Sequence, residues 1–339
     1  MDSLTQITLG AAVGEAVLGR QLGNRAIAWG AVFGTLPDLD MVLTPFLDSV
    51  QFIVYHRGLS HSLLAAVVAS PVLSWVFTRW YRRSEPTIRY TRWLLFFLLV
   101  FLTHILLDCF TNYGTQVFAP FSDRRVAWNT IFIIDPLYTV PFLASVLACL
   151  FLNRTSRWRR TLNYAGLLVS TGYLALTLLN KHHVDSVVAG ALARQNIAAH
   201  RFMTCPTPLN SILWYALAED EQGYHVGFYS LLDSSDNVRF EFIPRRAELL
   251  GDLAETYEVD RLVWFADGYY SARPHTEGVL LHVMKFGKLN LSGEQELYPF
   301  TYQIHRGDST GLVIERFEPP REESWQQLLA QLWTRLKGI

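Results

Sequence analysis

Three aspartates and three histidines recur in short polar knots at the edges of apolar runs. They are Asp38 and Asp40 in Pro37-Asp38-Leu39-Asp40, His56 and His61 in His56-Arg57-Gly58-Leu59-Ser60-His61-Ser62, and His104 with Asp108 in Thr103-His104-Ile105-Leu106-Leu107-Asp108. Carboxylates mixed with imidazoles, without thiolates, are a donor set for Zn, with Mn or Fe as alternatives. Ionisable groups gathered at a bilayer edge mark a functional site, because the bilayer makes each of them expensive. Six such groups exceed the three protein ligands of a mononuclear catalytic zinc, which leaves room for one or two ions. The chemistry expected is hydrolysis, in which a divalent cation lowers the pKa of water toward ~7 and stabilises charge on a phosphoryl or acyl oxygen. Asp38, His61 and Asp108 are the expected catalytic residues. Arg57, ahead of Arg124 and Arg125, is the expected contact to a phosphate or carboxylate of the substrate.

Each knot also has a plainer reading. Aspartate after proline is common turn chemistry, and carboxylates at i and i+2 reach one cation only from irregular backbone, which Pro37 supplies. Gly58 permits a turn that returns His56 toward His61, and Ser60 is the expected N-cap of the following helix. Spacing of four puts His104 and Asp108 on one helix face, where they form either a ligand pair or an intramembrane hydrogen-bonded pair. Asp135 before Pro136 is a helix cap or an extra ligand, and Glu15 is a ligand or the partner of Arg20; the spacing leaves both open.

The elements that must carry these residues are membrane helices. Half of the 339 residues are hydrophobic and 17% are charged, against about 25% charged in a soluble domain. The long apolar runs stop near residue 180. His61–Tyr81, Trp93–Tyr113, Leu137–Leu152 and Leu162–Leu179 approach the ~20 residues a span needs. Leu4–Leu18 and Ala26–Leu36, rich in Gly and Ala, read as a tightly packed hairpin that is buried or partly spanning. Four to six membrane segments are expected. Cys109, Cys149 and Cys205 have no CxxC spacing, so neither a disulfide framework nor a thiolate zinc site is expected. The amino terminus lacks the pattern of a cleaved signal, so Met1 onward is expected to remain. A net charge of -1 gives no electrostatic reason for nucleic-acid binding.

Arginine placement predicts the orientation. Arg20, Arg25, Arg79, Arg82, Arg83, Arg89, Arg92, Arg154, Arg157, Arg159 and Arg160 fall in one set of connections, and only Arg57, Arg124 and Arg125 in the other. The first set is therefore expected in the cytoplasm of a bacterium, with the chain after residue 180 outside. The same choice brings Gln6 and all six candidate ligands to one depth near the outer surface.

MDSLTQITLGAAVGE, GTLPDLD, HRGLSHS, LTHILLDCFTNYGTQ and IDPLY, in that order, resemble the membrane-bound metal-dependent hydrolase family that includes YfhP and, more distantly, YdjM. The later stretches PTPLNSILW and YPFTYQI are similar to the carboxy-terminal region of the YfhP type. The resemblance implies an integral membrane protein assigned to metal-dependent hydrolysis, with Asp38, Asp40, His56, His61, His104 and Asp108 on its motif positions. Many members carry His where this chain has Gln6, a poorer ligand.

The expected organisation is a helical membrane domain over 1–180, a polar helical stalk over 181–205, a small β-rich domain of α+β type over 206–320, and an amphipathic helix over 321–339. Strands are expected at His225–Leu232, Val238–Ile243, Val279–Phe286, Tyr298–Ile304 and Leu312–Phe317, from β-branched and aromatic runs bounded by turns. His225, His275, His282 and His305 have no ligand spacing and read as structural. Trp325, Leu328, Leu329, Leu332, Trp333 and Leu336 form one stripe, which packs on the β-domain or lies on the membrane. Two function classes remain: a hydrolase acting on a lipid, lipid-linked, phosphate or carboxyl ester, and a non-catalytic ion-binding transporter or scaffold.

Overall fold

The computed structural model describes residues 1–291, 297–307, 311–318 and 325–338. The expected beginning of the terminal helix at 321–324 lies outside the described residues. The chain divides into two compact units, Met1–Phe46 with Tyr55–Thr177, and Leu47–Val54 with Leu178 onward.

In the first unit, α1 (Ser3–Leu22) and α2 (Asn24–Gly34) make the glycine-rich hairpin. A Cβ on Gly30 would stand 2.1 Å from the Gly10 carbonyl oxygen, so only glycine permits this approach. Gly30→Val is expected to destabilise the protein by at least ~3 kcal/mol, because backbone cannot retreat as a side chain can. Gly172→Val is the control, since an added Cβ there meets nothing within 4 Å. Equal melting temperatures for the two variants in detergent would contradict this account of the hairpin.

Pro37 redirects the chain into a 3-10 helix, Pro37–Phe46, bent by 45° from α2. There follow α3 (Ser49–Tyr55), a 3-10 turn at Leu59–His61, α4 (Leu63–Tyr81), α5 (Tyr90–Cys109), α6 (Pro136–Leu150) and α7 (Arg157–Arg194). The N-cap of α4 is Ser62, which accepts from the Ala65 N–H, rather than the expected Ser60: the 3-10 turn delays the helix by two residues. The helices α4, α5 and α7 are long and apolar enough to cross a membrane, and α2 with its bent 3-10 continuation makes a fourth if the pair is one span. Three falls below the four to six expected, and four meets its lower bound. Within α1, Gln6, Glu15, Arg20 and Gln21 dilute the apolar character, and α6 has only 15 residues. Of these three long apolar helices α5 is the most enclosed, with 56% of its apolar stretch buried against 22% for α4 and α7. Its Trp93, Phe96 and Phe97 pack with Phe33 and Phe77, while Val67, Val68 and Trp75 of α4 point outward, as lipid-facing residues do. Glu15 is paired not with Arg20 but with Arg159 of α7, in two contacts of 2.7 Å.

Among the described residues, the second unit holds two antiparallel four-stranded sheets, each in chain order. The first is β1 (Arg201–Pro206), β2 (Leu213–Glu219), β3 (Gly223–Ser230) and β4 (Phe240–Pro244). After α8 (Tyr257–Phe265) come β5 (Tyr270–His275), β6 (Gly278–Val283), β7 (Thr301–Arg306) and β8 (Leu312–Arg316), and then α9 (Trp325–Leu336). Cys205, Tyr215 and Leu217 of the first sheet share a core with Tyr269, Met284 and Tyr298. Trp214, Ala216 and Ala218 cover Val184, Val188 and Ala191 of α7, so this part of the expected stalk is a packing face of the sheet. In α9, Leu332 and Leu336 pack on Leu213, and Arg335 pairs with Asp233 at 2.6 Å. Leu328, Leu332 and Leu336 of the stripe are thus buried, while Leu329 and Trp333 stay exposed.

Among the described residues, His225, His275, His282 and His305 join no ligand group. His282 is buried, its Nδ1 lies 2.9 Å from the Thr301 hydroxyl, and burial, then the Arg273 charge, lower its pKa from 6.5 to about 4. The folded chain thus lacks a proton that the unfolded chain holds between those values. Stability is expected to fall as pH drops through this window, by about 3 kcal/mol at its lower end. Melting curves at neutral pH and near pH 4.5 should show a smaller acid loss for His282→Gln than for wild type; equal losses would exclude this source.

Candidate metal centre

Four segments meet at one end of the first unit: the start of α1, the 3-10 helix after Pro37, the loop before α4 and the end of α5. The loop is tied down by Gln116 N–H donating to the Arg57 carbonyl and Leu63 N–H to that of Val117, both at 3.0 Å. Arg57 itself sits at φ +58°, a costly backbone state for a non-glycine residue that the surrounding contacts hold in place.

Asp38, His61, His104 and Asp108 each offer a ligand atom, and these atoms all lie within 4.8 Å of one another. Asp38 Oδ1 is 3.2 Å from His61 Nε2 and 3.6 Å from His104 Nε2. Asp108 Oδ2 is 3.4 Å from both. His61, His104 and Asp108 are buried, and Asp38 alone retains 13% side-chain exposure.

The surroundings decide what these atoms are free to do. His104 Nδ1 donates to the Gly34 carbonyl at 2.7 Å, which leaves the Nε2 lone pair facing the cluster. His61 Nδ1 donates to Ser60 Oγ at 2.9 Å, and the Ser60 hydroxyl in turn donates to Asp40 Oδ2 at 3.0 Å. The His61 Nε2 lone pair therefore faces inward too. Asp108 Oδ1 receives the Met1 nitrogen, Gln6 Nε2 at 3.2 Å and Arg57 Nη2 at 3.2 Å, so Oδ2 is left for the cluster. His104 Nε2 and Asp108 Oδ2 are buried without a hydrogen-bond partner. Four acceptors converging on one point repel one another unless a cation stands among them, and the donor set of two imidazoles and two carboxylates fits a divalent transition metal.

The remaining sequence-level candidates stand one layer away. Asp40 pairs with His56 at 3.1 Å and accepts the Arg57 N–H at 3.1 Å; among the described residues neither Asp40 nor His56 belongs to the four-ligand group. Two residues further along a 3-10 helix, with three residues per turn, Asp40 cannot point where Asp38 points. Arg57 is buried, with Nη1 on Thr111 Oγ1 at 2.9 Å and its guanidinium over the Tyr113 ring at 4.9 Å. It holds Asp108. Gln6 is a donor to Asp108 and not a ligand. Asp135 caps α6 through the Leu137 and Tyr138 N–H groups and accepts the Tyr173 hydroxyl at 2.8 Å. The orienting roles of Ser60, Thr111 and the Gly34 carbonyl carry no sequence signal of their own.

All four cluster residues fall inside a family match. Residues 1–184, just over half of the chain, match the family described as YdjM inner membrane protein. The chain belongs to the YdjM family. Over 153 residues it is 31% identical to the uncharacterized protein YfhP of Bacillus subtilis (strain 168), covering 43% of this chain and 45% of YfhP. Over 146 residues it is 27% identical to the inner membrane protein YbcI of Escherichia coli (strain K12), covering 41% of this chain and 82% of YbcI. The match thus spans less than half the length of YfhP. No solved structure matches. The YdjM-family region ends within α7, and the two sheets follow it.

Proposed function

We propose that this YdjM-family protein is a metal-dependent hydrolase embedded in the bacterial inner membrane, which cleaves a lipid, lipid-linked, phosphate or carboxyl ester at the membrane surface. The observation that carries this reading is the convergence of two imidazole lone pairs with two carboxylate oxygens, of which His104 Nε2 and Asp108 Oδ2 have no other partner. A divalent cation, Zn with Mn or Fe as alternatives, supplies Lewis acidity there, activating water and polarising the substrate oxygen.

The chain's residues do the rest. Ser60 and Asp40 fix the His61 tautomer, and Gly34 fixes that of His104. Arg57 and Gln6 hold Asp108 by one oxygen. Asp38, the one ligand residue with an exposed edge, marks the side from which substrate and water enter, and its carboxylate takes the proton released by water. Burial of the other three excludes bulk water from their face. Asp38, His61, His104 and Asp108 would together hold the ion, and Zn, Mn or Fe bound there would supply the Lewis acidity. The arginine bias supports an orientation with the centre toward the outer side of the membrane, where substrate comes from the leaflet.

Metal content by mass spectrometry on detergent-purified protein tests the reading. Wild type is expected to hold about one equivalent of transition metal, lost in Asp38→Asn and in His61→Ala, and to cleave phosphate or carboxyl esters in a screen. A wild type that stays empty after reconstitution with Zn or Mn removes the proposal. Bound metal without cleavage of any ester favours a non-catalytic ion-binding transporter or scaffold.

A further inference from the structure

The opposite end of the same helices holds a second polar site. Arg20 lies fourteen residues beyond Gln6 along α1, and Arg92 twelve residues before His104 along α5, so at 1.5 Å per residue this end is about 20 Å from the metal centre. Arg20 and Gln21 from α1, Arg92 from α5, and Arg160 and Asn163 from α7 line a cavity of about 180 Å³. Glu15 also reaches it, but its carboxylate is answered on both oxygens by Arg159. Among the described residues the side chains of Arg20, Arg92 and Arg160 have no ion pair or hydrogen bond, so the cavity keeps three uncompensated positive charges.

Asn163 is 1% exposed; its Nδ2 donates to the Ala12 carbonyl at 2.9 Å and its Oδ1 has no partner. Gln21 Oε1 is likewise buried and unpartnered. A ligand that satisfies this site is an anion that also carries a hydrogen-bond donor. Guanidinium forks match phosphate oxygens in pairs, and a hydroxyl beside the phosphate answers the amide oxygens.

We propose that this cavity binds a phosphate group with a hydroxyl beside it, either the phosphate and glycerol hydroxyl of an anionic phospholipid headgroup or free phosphate with its own P–OH. Three helices of the bundle each contribute one arginine, so occupancy removes mutual repulsion at their ends and ties them together. The arginine-rich end of a membrane protein is also where an anionic leaflet surface is met.

Isothermal titration of the full chain in neutral detergent tests this with three probes: short-chain phosphatidylglycerol, the matching phosphatidylcholine and inorganic phosphate. Phosphatidylglycerol is expected to bind saturably near one equivalent, at least tenfold more tightly than phosphatidylcholine. Binding should weaken at least tenfold in the triple variant Arg20→Gln, Arg92→Gln, Arg160→Gln. It should be unchanged in Arg82→Gln, Arg83→Gln, whose arginines belong to the same end but do not line the cavity. Inorganic phosphate binding as tightly and competing identifies free phosphate as the source; a lipid-only response identifies the headgroup. If the triple variant unfolds, Arg160→Gln alone, at an exposed position, carries the comparison. Equal loss in the cavity and control variants, or no saturable binding of either phosphate probe, overturns the proposal.

Discussion

Asp108→Asn is expected to lower metal affinity by more than about 100-fold, beyond the 10- to 100-fold typical of losing a residue that only supports a ligand. The carboxylate divides its work. Oδ1 takes the donors of Gln6 and Arg57, while Oδ2 faces His61 and His104 at 3.4 Å each. An asparagine can keep an oxygen in one of these positions but brings an amide and no charge. Arg57, buried at 2% exposure, also loses its ionic partner, and breaking such a pair costs about 3–5 kcal/mol. Loss of fold and loss of ligand are separable by melting the protein with and without Zn. A metal at about 1,000 times its Kd stabilises the folded state by about 4 kcal/mol. Wild type should show that rise; the variant should start lower and show none. A Zn-dependent rise of equal size in Asp108→Asn would take Asp108 out of the site.

Glu15→Ala is expected to destabilise the protein by about 3–5 kcal/mol without changing metal content. Glu15 and Arg159 are both 2% exposed at the side chain, and the truncation leaves the guanidinium buried with only Asn24 Oδ1 and the Leu152 carbonyl. The double variant Glu15→Leu, Arg159→Met should recover most of the loss, since an apolar pair of similar volume is often neutral. The single and double variants, melted side by side, check both statements. Metal lost together with Glu15 would return this residue to the ligand set.

The helices and the four-residue cluster were legible in the sequence for different reasons. Apolar runs bounded by arginines and prolines located α4, α5, α6 and the first part of α7 within a few residues. The spacing of four between His104 and Asp108 put both on one face, and the four-residue cluster is drawn from the six ligands expected. The division into a central cluster and an outer layer was not legible. Asp38 and Asp40 have the same residue type and the same local context; only the 3-10 backbone turns one toward the imidazoles and the other toward His56, Ser60 and Arg57. That Arg57, the expected substrate contact, is buried against Asp108 and Thr111 was not legible either, because an exposed arginine and a buried one are identical as letters.

In the β-rich unit β1, β2 and β5 were missed, and the first two for separate reasons. Every residue of β2 is buried, so the alternation that betrays a half-exposed strand is absent. The strand β1 follows α7 closely and was absorbed into the expected polar helix, whose apolar residues Val184 and Val188 turn out to serve the sheet.

The sequence by itself determined that the chain is a membrane protein, which helices carry its polar residues, and which residue types are present to bind a metal. Those properties are local, set by hydropathy over one helix length and by spacing within one or two turns. Tertiary structure decided which atoms converge, which carboxylate oxygen is spent on Arg57 and Gln6, which tautomer each histidine adopts, and that Glu15 belongs to Arg159. These depend on groups separated by tens to more than a hundred positions in the chain, and only packing of the helices against one another brings them within hydrogen-bonding distance.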